Sequence, residues 1–255
     1  MKKWLLAVTL MMSAALLGAC SQETEGEATE QKTLVMGTSA DYFPYEFVDT
    51  ANGDAIVGFD IEIAETITER LGYELKIEDM DFGSLLGALN SGRVDFVMAG
   101  MTPTEERKEN ADFSDIYLSA TNLIMTKDES LQAIEDLSGK KIGVQTASIQ
   151  ENIAKEQAPD AELVSLNKIP EIVQELNTGR IDAMVIEDTV AQKYLDQDDS
   201  LYTFALKEDG EKGSAAAFKL DDELRNQFNE ELNKMMQSGE IDELVKKWFS
   251  MEPTE

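Results

Sequence analysis

Two eight-residue stretches, 87 positions apart, are nearly the same. Residues 88–95 read Ala-Leu-Asn-Ser-Gly-Arg-Val-Asp, and residues 175–182 read Glu-Leu-Asn-Thr-Gly-Arg-Ile-Asp. Five of the eight positions are identical, and Ser/Thr and Val/Ile are conservative exchanges. In each copy an amphipathic run stops at an Asn-[Ser/Thr]-Gly turn and an apolar strand follows, the arrangement of a helix feeding a buried strand. The copies are either a duplicated unit or one turn solution reached twice, and both origins give the same local geometry. Keeping the register, Gly100 in the first half matches Glu187 in the second. Each stands just past the carboxyl end of its strand, where open α/β sheets take ligands.

The rest of the chain fits the same unit. Strands are predicted over 32–37, 73–78, 94–99, 123–126, 141–145, 162–166 and 181–186. Helices are predicted over 60–71, capped by Asp60 and stopped by Gly72, and over 82–90, 131–137, 148–157 and 169–178, with 221–249 almost wholly helical. The fold class is α/β, as two similar units of about 90 residues with a cleft between them. The crossings are expected at 119–122 and 207–214, the second of which holds the polar hinge-like Glu208-Asp209-Gly210-Glu211-Lys212-Gly213. The division is residues 32–121 for the first lobe, 122–208 for the second, and 209–255 for the hinge return and the C-terminal helices of the first.

Composition excludes several chemistries. The 255 residues contain no His and one Cys, so Ser-His-Asp and Cys-His catalysis, His-ligated metals and an intrachain disulfide are ruled out. With 51 acidic against 22 basic residues the formal charge is −29, and such a surface repels nucleic acid. No ordered calcium-loop spacing occurs, and neither a metal nor another cofactor is expected.

The N-terminus reads as a targeting segment. Lys2-Lys3, an apolar run from Trp4 to Leu17 and the small residues Gly18-Ala19 form a secretory signal over 1–19, too short for a permanent membrane span. Leu17-Gly18-Ala19-Cys20 resembles the lipobox of bacterial lipoproteins. That resemblance implies a diacylglyceryl group on the Cys20 sulfur, with palmitate-type chains, and Cys20 as the new N-terminus on the outer face of the cell membrane. Residues 20–31 carry four Glu and no large apolar side chain, and read as a flexible leash.

Two helix starts face the expected cleft. Thr102-Pro103-Thr104-Glu105 places Thr at the N-cap, Pro at N1 and Glu at N3, with Arg107 one turn inside. Ser148-Ile149-Gln150-Glu151 repeats the capping box after the strand at 141–145. Aimed at one cleft, they would hold a carboxylate between a guanidinium and free backbone N–H groups; as ordinary caps they would serve only their own helices.

At these residues the chain resembles a known family. The stretches 37–47 (Gly-Thr-Ser-Ala-Asp-Tyr-Phe-Pro-Tyr-Glu-Phe), 57–61 (Val-Gly-Phe-Asp-Ile), 98–107 (Met-Ala-Gly-Met-Thr-Pro-Thr-Glu-Glu-Arg), 113–117 (Phe-Ser-Asp-Ile-Tyr) and 141–145 (Lys-Ile-Gly-Val-Gln) are similar to family 3 solute-binding proteins of polar amino acid ABC importers. Ser148 and the run from Ile181 into Glu187 continue the match.

The resemblance implies a two-lobed periplasmic-binding-protein-like fold of type II. In that fold Arg107 pairs with the ligand carboxylate near Thr102 and Ser148, and Glu187 takes the ammonium with the Gly100 carbonyl and Thr102 hydroxyl. Tyr42 and Phe59 are the aromatic walls, and Ser39 and Gln145 set side-chain specificity. It further implies a monomeric, non-enzymatic receptor that closes on an amino acid and presents it to a membrane permease. A dehydratase of cyclohexadienyl acids and an extracellular sensor are the alternatives on the same architecture. Glu187 replaces a common Asp, Ala147 a common Gly, and Ser39 an Asp used by some relatives with cationic ligands. The Ser39 exchange weakens an arginine or lysine reading without excluding it, since Asp41, Glu46 and Asp188 are nearby in sequence and could supply the charge instead, although each is read first as a solvated surface residue.

Overall fold

Alternating apolar residues and β-branched side chains begin the chain's first strand directly after Lys32, and the computed structural model describes residues 32–207 and 212–249. The signal at 1–19, Cys20, the leash and residues 208–211 of the hinge return lie outside the described residues.

Strand β1 (Thr33–Thr38) is followed by a small antiparallel sheet of β2 (Asp41–Tyr42), β3 (Glu46–Asp49) and β4 (Ala55–Val57). Then come α1 (Phe59–Arg70), β5 (Glu74–Asp79), α2 (Leu85–Ser91), β6 (Phe96–Val97), α3 (Glu105–Lys108) and β7 (Asp112–Phe113). The second half holds β8 (Asn122–Thr126), β9 (Lys141–Gln145), α4 (Ile149–Gln157), β10 (Glu162–Leu166), α5 (Ile169–Asn177), β11 (Ala183–Glu187), α6 (Asp188–Leu195) and β12 (Tyr202–Ala205). Strand β13 (Ala217–Phe218) and helices α7 (Glu223–Ser238) and α8 (Glu240–Phe249) complete it.

Two five-stranded sheets result, in the orders β5-β1-β6-β13-β7 and β10-β9-β11-β8-β12. They define two lobes. Within each, a three-strand parallel core repeats: β1 lies between β5 and β6, as β9 lies between β10 and β11. The echoed octapeptides have the same job in both. Gly92 (φ 78°) and Gly179 (φ 69°) end α2 and α5 in the left-handed conformation. Asp95 then exchanges two bonds with Val35: its N–H donates to the Val35 carbonyl at 2.7 Å, and its carboxylate accepts the Val35 N–H at 2.8 Å. Asp182 does the same with Lys141, both bonds at 2.8 Å. A shared Asp thus sets strand register in both lobes.

The lobes meet along two strands. Leu118 and Ser214 pair in an antiparallel bridge, with the Ser214 N–H donating to the Leu118 carbonyl at 2.8 Å. Strand β13 returns from there and lies between β6 and β7. Beneath it Phe96, Phe218 and Phe228 stack with centroids 5.3–6.0 Å apart and fix α7 to the first sheet.

Several local expectations are corrected. Helix α1 starts at Phe59 with Gly58 as its cap. Asp60 lies inside its first turn, because its carboxylate is bound to the Gly100 N–H and the Tyr117 hydroxyl instead of capping. The predicted helices at 82–90 and 131–137 begin or remain as 3-10 turns, Phe82–Ser84 and Ile134–Leu137. Residues 188–195, which follow a strand without a turn signal, form α6.

Candidate ligand-binding cleft

Arg107 sits in a one-turn helix. The cap is Thr104, whose hydroxyl accepts the Arg107 N–H at 3.3 Å, so the expected cap at Thr102 is displaced by two residues. Pro103 cannot donate and keeps Thr102 extended. Arg107 is therefore the third helical residue and turns inward, with 9% of its surface exposed. Its guanidinium donates to the Thr102 carbonyl at 2.9 Å and, across the cleft, to the Ala147 carbonyl at 3.1 Å. The Phe82 ring lies 5.2 Å away. Burial lowers its pKa to about 10, still a cation at neutral pH.

The second helix start is built as expected at its N-cap. The Ser148 hydroxyl accepts the Glu151 N–H at 3.2 Å and donates to the Gln145 carbonyl at 2.7 Å. The reciprocal half of the box is shifted by one residue, since Glu151 accepts from the Ala147 N–H at 3.0 Å. Ala147 holds φ 61° to permit this turn. The first turn of α4 then contributes Ile149 and Gln150 to the cleft wall.

Glu187 ends β11 and is 5% exposed. Its Oε1 accepts two hydroxyls, Tyr45 at 2.5 Å and Thr189 at 2.6 Å. Burial raises its pKa to about 7 against the pull of these donors. Tyr42 stacks on Tyr45 with centroids 5.4 Å apart. Gly100 holds φ 56°, and a Cβ there would lie 2.9 Å from the Tyr42 ring, so backbone and aromatic wall touch only because the residue is glycine.

Two adjoining spaces separate the lobes. A narrow crevice of about 20 Å³ is lined by Ser39, Tyr42, Glu46, Gly100, Arg107 and Gln145, among others. A wide cleft of about 840 Å³ is lined by Glu187, Asn122 and the side of α4. Thr102 and Ile149 border both. Seven of the nine predicted ligand residues, Ser39, Tyr42, Gly100, Thr102, Arg107, Gln145 and Glu187, therefore line this continuous space. Ser148 stands behind it as a cap. Phe59 is fully buried in the first lobe, edge-on to Tyr45 and Phe249, and Phe82 lines the crevice.

Glu46 and Asp41 overturn the solvated-surface expectation. Glu46 has no exposed surface and neither of its carboxylate oxygens accepts a hydrogen bond. Burial and the neighbouring Asp60 hold its carboxyl well above the usual range. Asp60, also fully buried, is raised by burial to about 7. The Asp41 side chain bonds the Ser39 hydroxyl at 2.9 Å and, across the cleft, the Ile169 N–H at 2.8 Å. Asp188 binds the Thr121 hydroxyl at 2.7 Å beside the crossing strand.

The family model of the bacterial extracellular solute-binding proteins, family 3, matches residues 34–251. The chain belongs to this family. A family 3 relative, the arginine-binding extracellular protein ArtP of Bacillus subtilis (strain 168), is 45% identical over 257 residues, covering 99% of this chain and 100% of the relative. The crystal structure of the substrate-binding protein of an amino acid ABC transporter superposes with a TM-score of 0.82 at 43% identity, covering 86% of this chain and 100% of that one. AbpA of Streptococcus pneumoniae bound to L-arginine gives a TM-score of 0.81 at 33% identity, covering 86% and 94%. These structural neighbours share the two-lobed architecture.

Proposed function

We propose that this chain captures a cationic amino acid, L-arginine, between its lobes and delivers it to the permease of an ABC importer. Arg107 receives the carboxylate. Glu187, with the Gly100 carbonyl and the Thr102 hydroxyl, receives the ammonium. The observation that carries the preference is the imbalance of buried ionisable groups. Among the described residues Arg107 is the one buried cation, whereas Glu46, Asp60 and Glu187 are buried carboxyls in and behind the same wall. A zwitterion engages Arg107 and Glu187 but not the neighbouring Glu46 and Asp60, whose carboxyls burial pushes toward the neutral form; a ligand side-chain cation beside them favours their ionised form and is paired by it. The arginine named for ArtP and bound to AbpA supports this reading.

Closure follows from volume. About 20 Å³ beside Arg107 admits about one water. A carboxylate reaches that guanidinium only when the lobes part, and they close again around it. In this proposal the lobes are 32–121 with 209–255, and 122–208, and the chain is a monomeric receptor without chemistry of its own. Cys20 carries the lipid that ties it to the outer membrane face, so Cys20→Ser is expected to release it into the medium and abolish labelling by a palmitate analogue.

The deciding experiment is calorimetry on the mature, ligand-stripped protein with arginine, lysine, histidine and glutamine. Arginine is expected to bind tightest, at micromolar affinity or better, about 8 kcal/mol or more. Glutamine binding tenfold tighter than arginine would overturn the charge argument.

A further inference from the structure

Tyr45 is anchored in the first lobe by its backbone bonds and its ring contacts. Its N–H donates to the Tyr42 carbonyl at 2.8 Å, and its carbonyl accepts the Asp60 N–H at 2.9 Å. Its ring, without exposed surface, is clamped by Tyr42, Phe59 and Phe249 at centroid distances of 5.4, 6.1 and 5.2 Å. A Cβ on Gly58 would sit 2.2 Å from the Tyr45 carbonyl oxygen, so the backbone beneath it has no slack. Only the hydroxyl leaves this lobe. It reaches Glu187, 142 residues away on the last position of β11, at 2.5 Å.

Glu187 is held differently. Its other donor, Thr189, is on the same lobe two residues on, and stays with it whether the lobes are together or apart. Tyr45 cannot follow if the lobes separate. Both hydroxyls converge on Oε1, and Oε2 has no partner among the described residues. The pair thus fixes which oxygen is offered to the cleft. Tyr42, Glu46 and Asp60 from the first lobe and Asp188 from α6 are the other ionisable groups whose charge bears on this carboxylate.

We propose that Tyr45 is a positioning residue that links lobe closure to ammonium recognition: on closure its hydroxyl clamps Oε1 of Glu187, so that Oε2 is aimed at the ligand. The inference rests on the assignment of Glu187 as the ammonium acceptor. Tyr45 itself need not touch the ligand. Its clamp forms only in the closed state, so it slows ligand release and leaves capture by the open form unchanged.

The test is a double-mutant cycle on the mature protein with L-arginine as probe, using Tyr45→Phe, Glu187→Asp and the double variant. Phe keeps the ring packing and deletes one oxygen. Asp is one methylene shorter and draws the carboxylate back from the Tyr45 hydroxyl. Tyr45→Phe is expected to raise Kd about tenfold, mostly through a faster koff, in the wild-type background, and less than twofold in the Glu187→Asp background. If Glu187→Asp binds arginine too weakly to titrate, the same cycle is read in the rise in melting temperature that a high concentration of arginine produces, where the two losses are expected to be non-additive. Additive losses, or an unchanged koff in Tyr45→Phe, would overturn the inference while leaving arginine binding intact. A wild-type protein that binds no amino acid would instead remove the reading on which it rests.

Discussion

Replacing Lys168 by Met removes a contact that exists only when the lobes are together. Lys168 stands immediately before α5, on the second lobe, with its Nζ 4.0, 3.9 and 3.8 Å from Asp41, Asp79 and Asp81 of the first. Its neighbours reinforce the contact: Asn167 donates to Asp81 at 2.9 Å and the Ile169 N–H to Asp41 at 2.8 Å. The ion pairs are partly solvated. Lys168 is 28% exposed, and Asp79 and Asp81 are 43% and 47% exposed, so each of those two pairs is worth only a few tenths of a kcal/mol after screening. Asp41, at 8%, lies at the upper end of that range. Met also leaves three carboxylates crowded at one seam. The sum is about 1–2 kcal/mol, or roughly 5- to 30-fold in arginine affinity. Calorimetry at about 20 and 300 mM salt checks it, because partly exposed pairs are screened over a Debye length of about 10 Å at 0.1 M. The variant is expected to bind more weakly at low salt and to show a flatter salt dependence than the parent. Equal affinity within twofold together with an equal salt slope would refute the reasoning.

Arg107→Ala is expected to weaken arginine binding by about 2–5 kcal/mol, since the ligand carboxylate is left buried without its cation, and titration calorimetry reads this directly. Gly58→Ala should lower the melting temperature sharply, because φ 143° and a Cβ 2.2 Å from the Tyr45 carbonyl force the backbone under the aromatic cluster to move; an unchanged thermal melt would contradict that packing. Glu187 and Asp60 are both raised by burial to about 7, above their unfolded values near 4, so the folded state holds protons there that the unfolded chain releases. That stability is full below about pH 4 and is lost as pH rises toward 7. The ligand-free protein should therefore melt several degrees lower at pH 8 than at pH 5.5, and Glu187→Gln should reduce the difference; a rising or flat profile would be the contrary result.

Most of the framework was readable because it is written locally. The octapeptides at 88–95 and 175–182 combine a helix stop, a left-handed glycine and a register-setting Asp within eight residues, and the structure uses them alike in both lobes. Arg107 is legible from its helix start, although the cap itself falls on Thr104, since Thr102 and Thr104 offer the same chemistry on either side of a proline. What the sequence hid depends on partners far along the chain. Glu46 is one charged residue in a short strand, and nothing nearby reveals that Asp60 and the cleft wall bury it. The Tyr45 hydroxyl meets Glu187 across 142 positions, and no spacing rule spans that distance. Phe59 and Phe82 both open a helical segment, so their place in sequence does not say which ring faces the crevice and which fills the core.

Strand β13 has a bearing on how the molecule is made. Among the described residues it is the strand that joins β6 to β7 in the sheet, yet it is formed by residues that leave the ribosome about 100 positions after β7. Until Ala217 and Phe218 emerge, two strands of the first sheet present bare edges. The second lobe, by contrast, is continuous from β8 to β12 and has all its partners to hand. Synthesis therefore favours assembly from the middle outward, with the amino-terminal portion held incomplete until the tail of the polypeptide locks it.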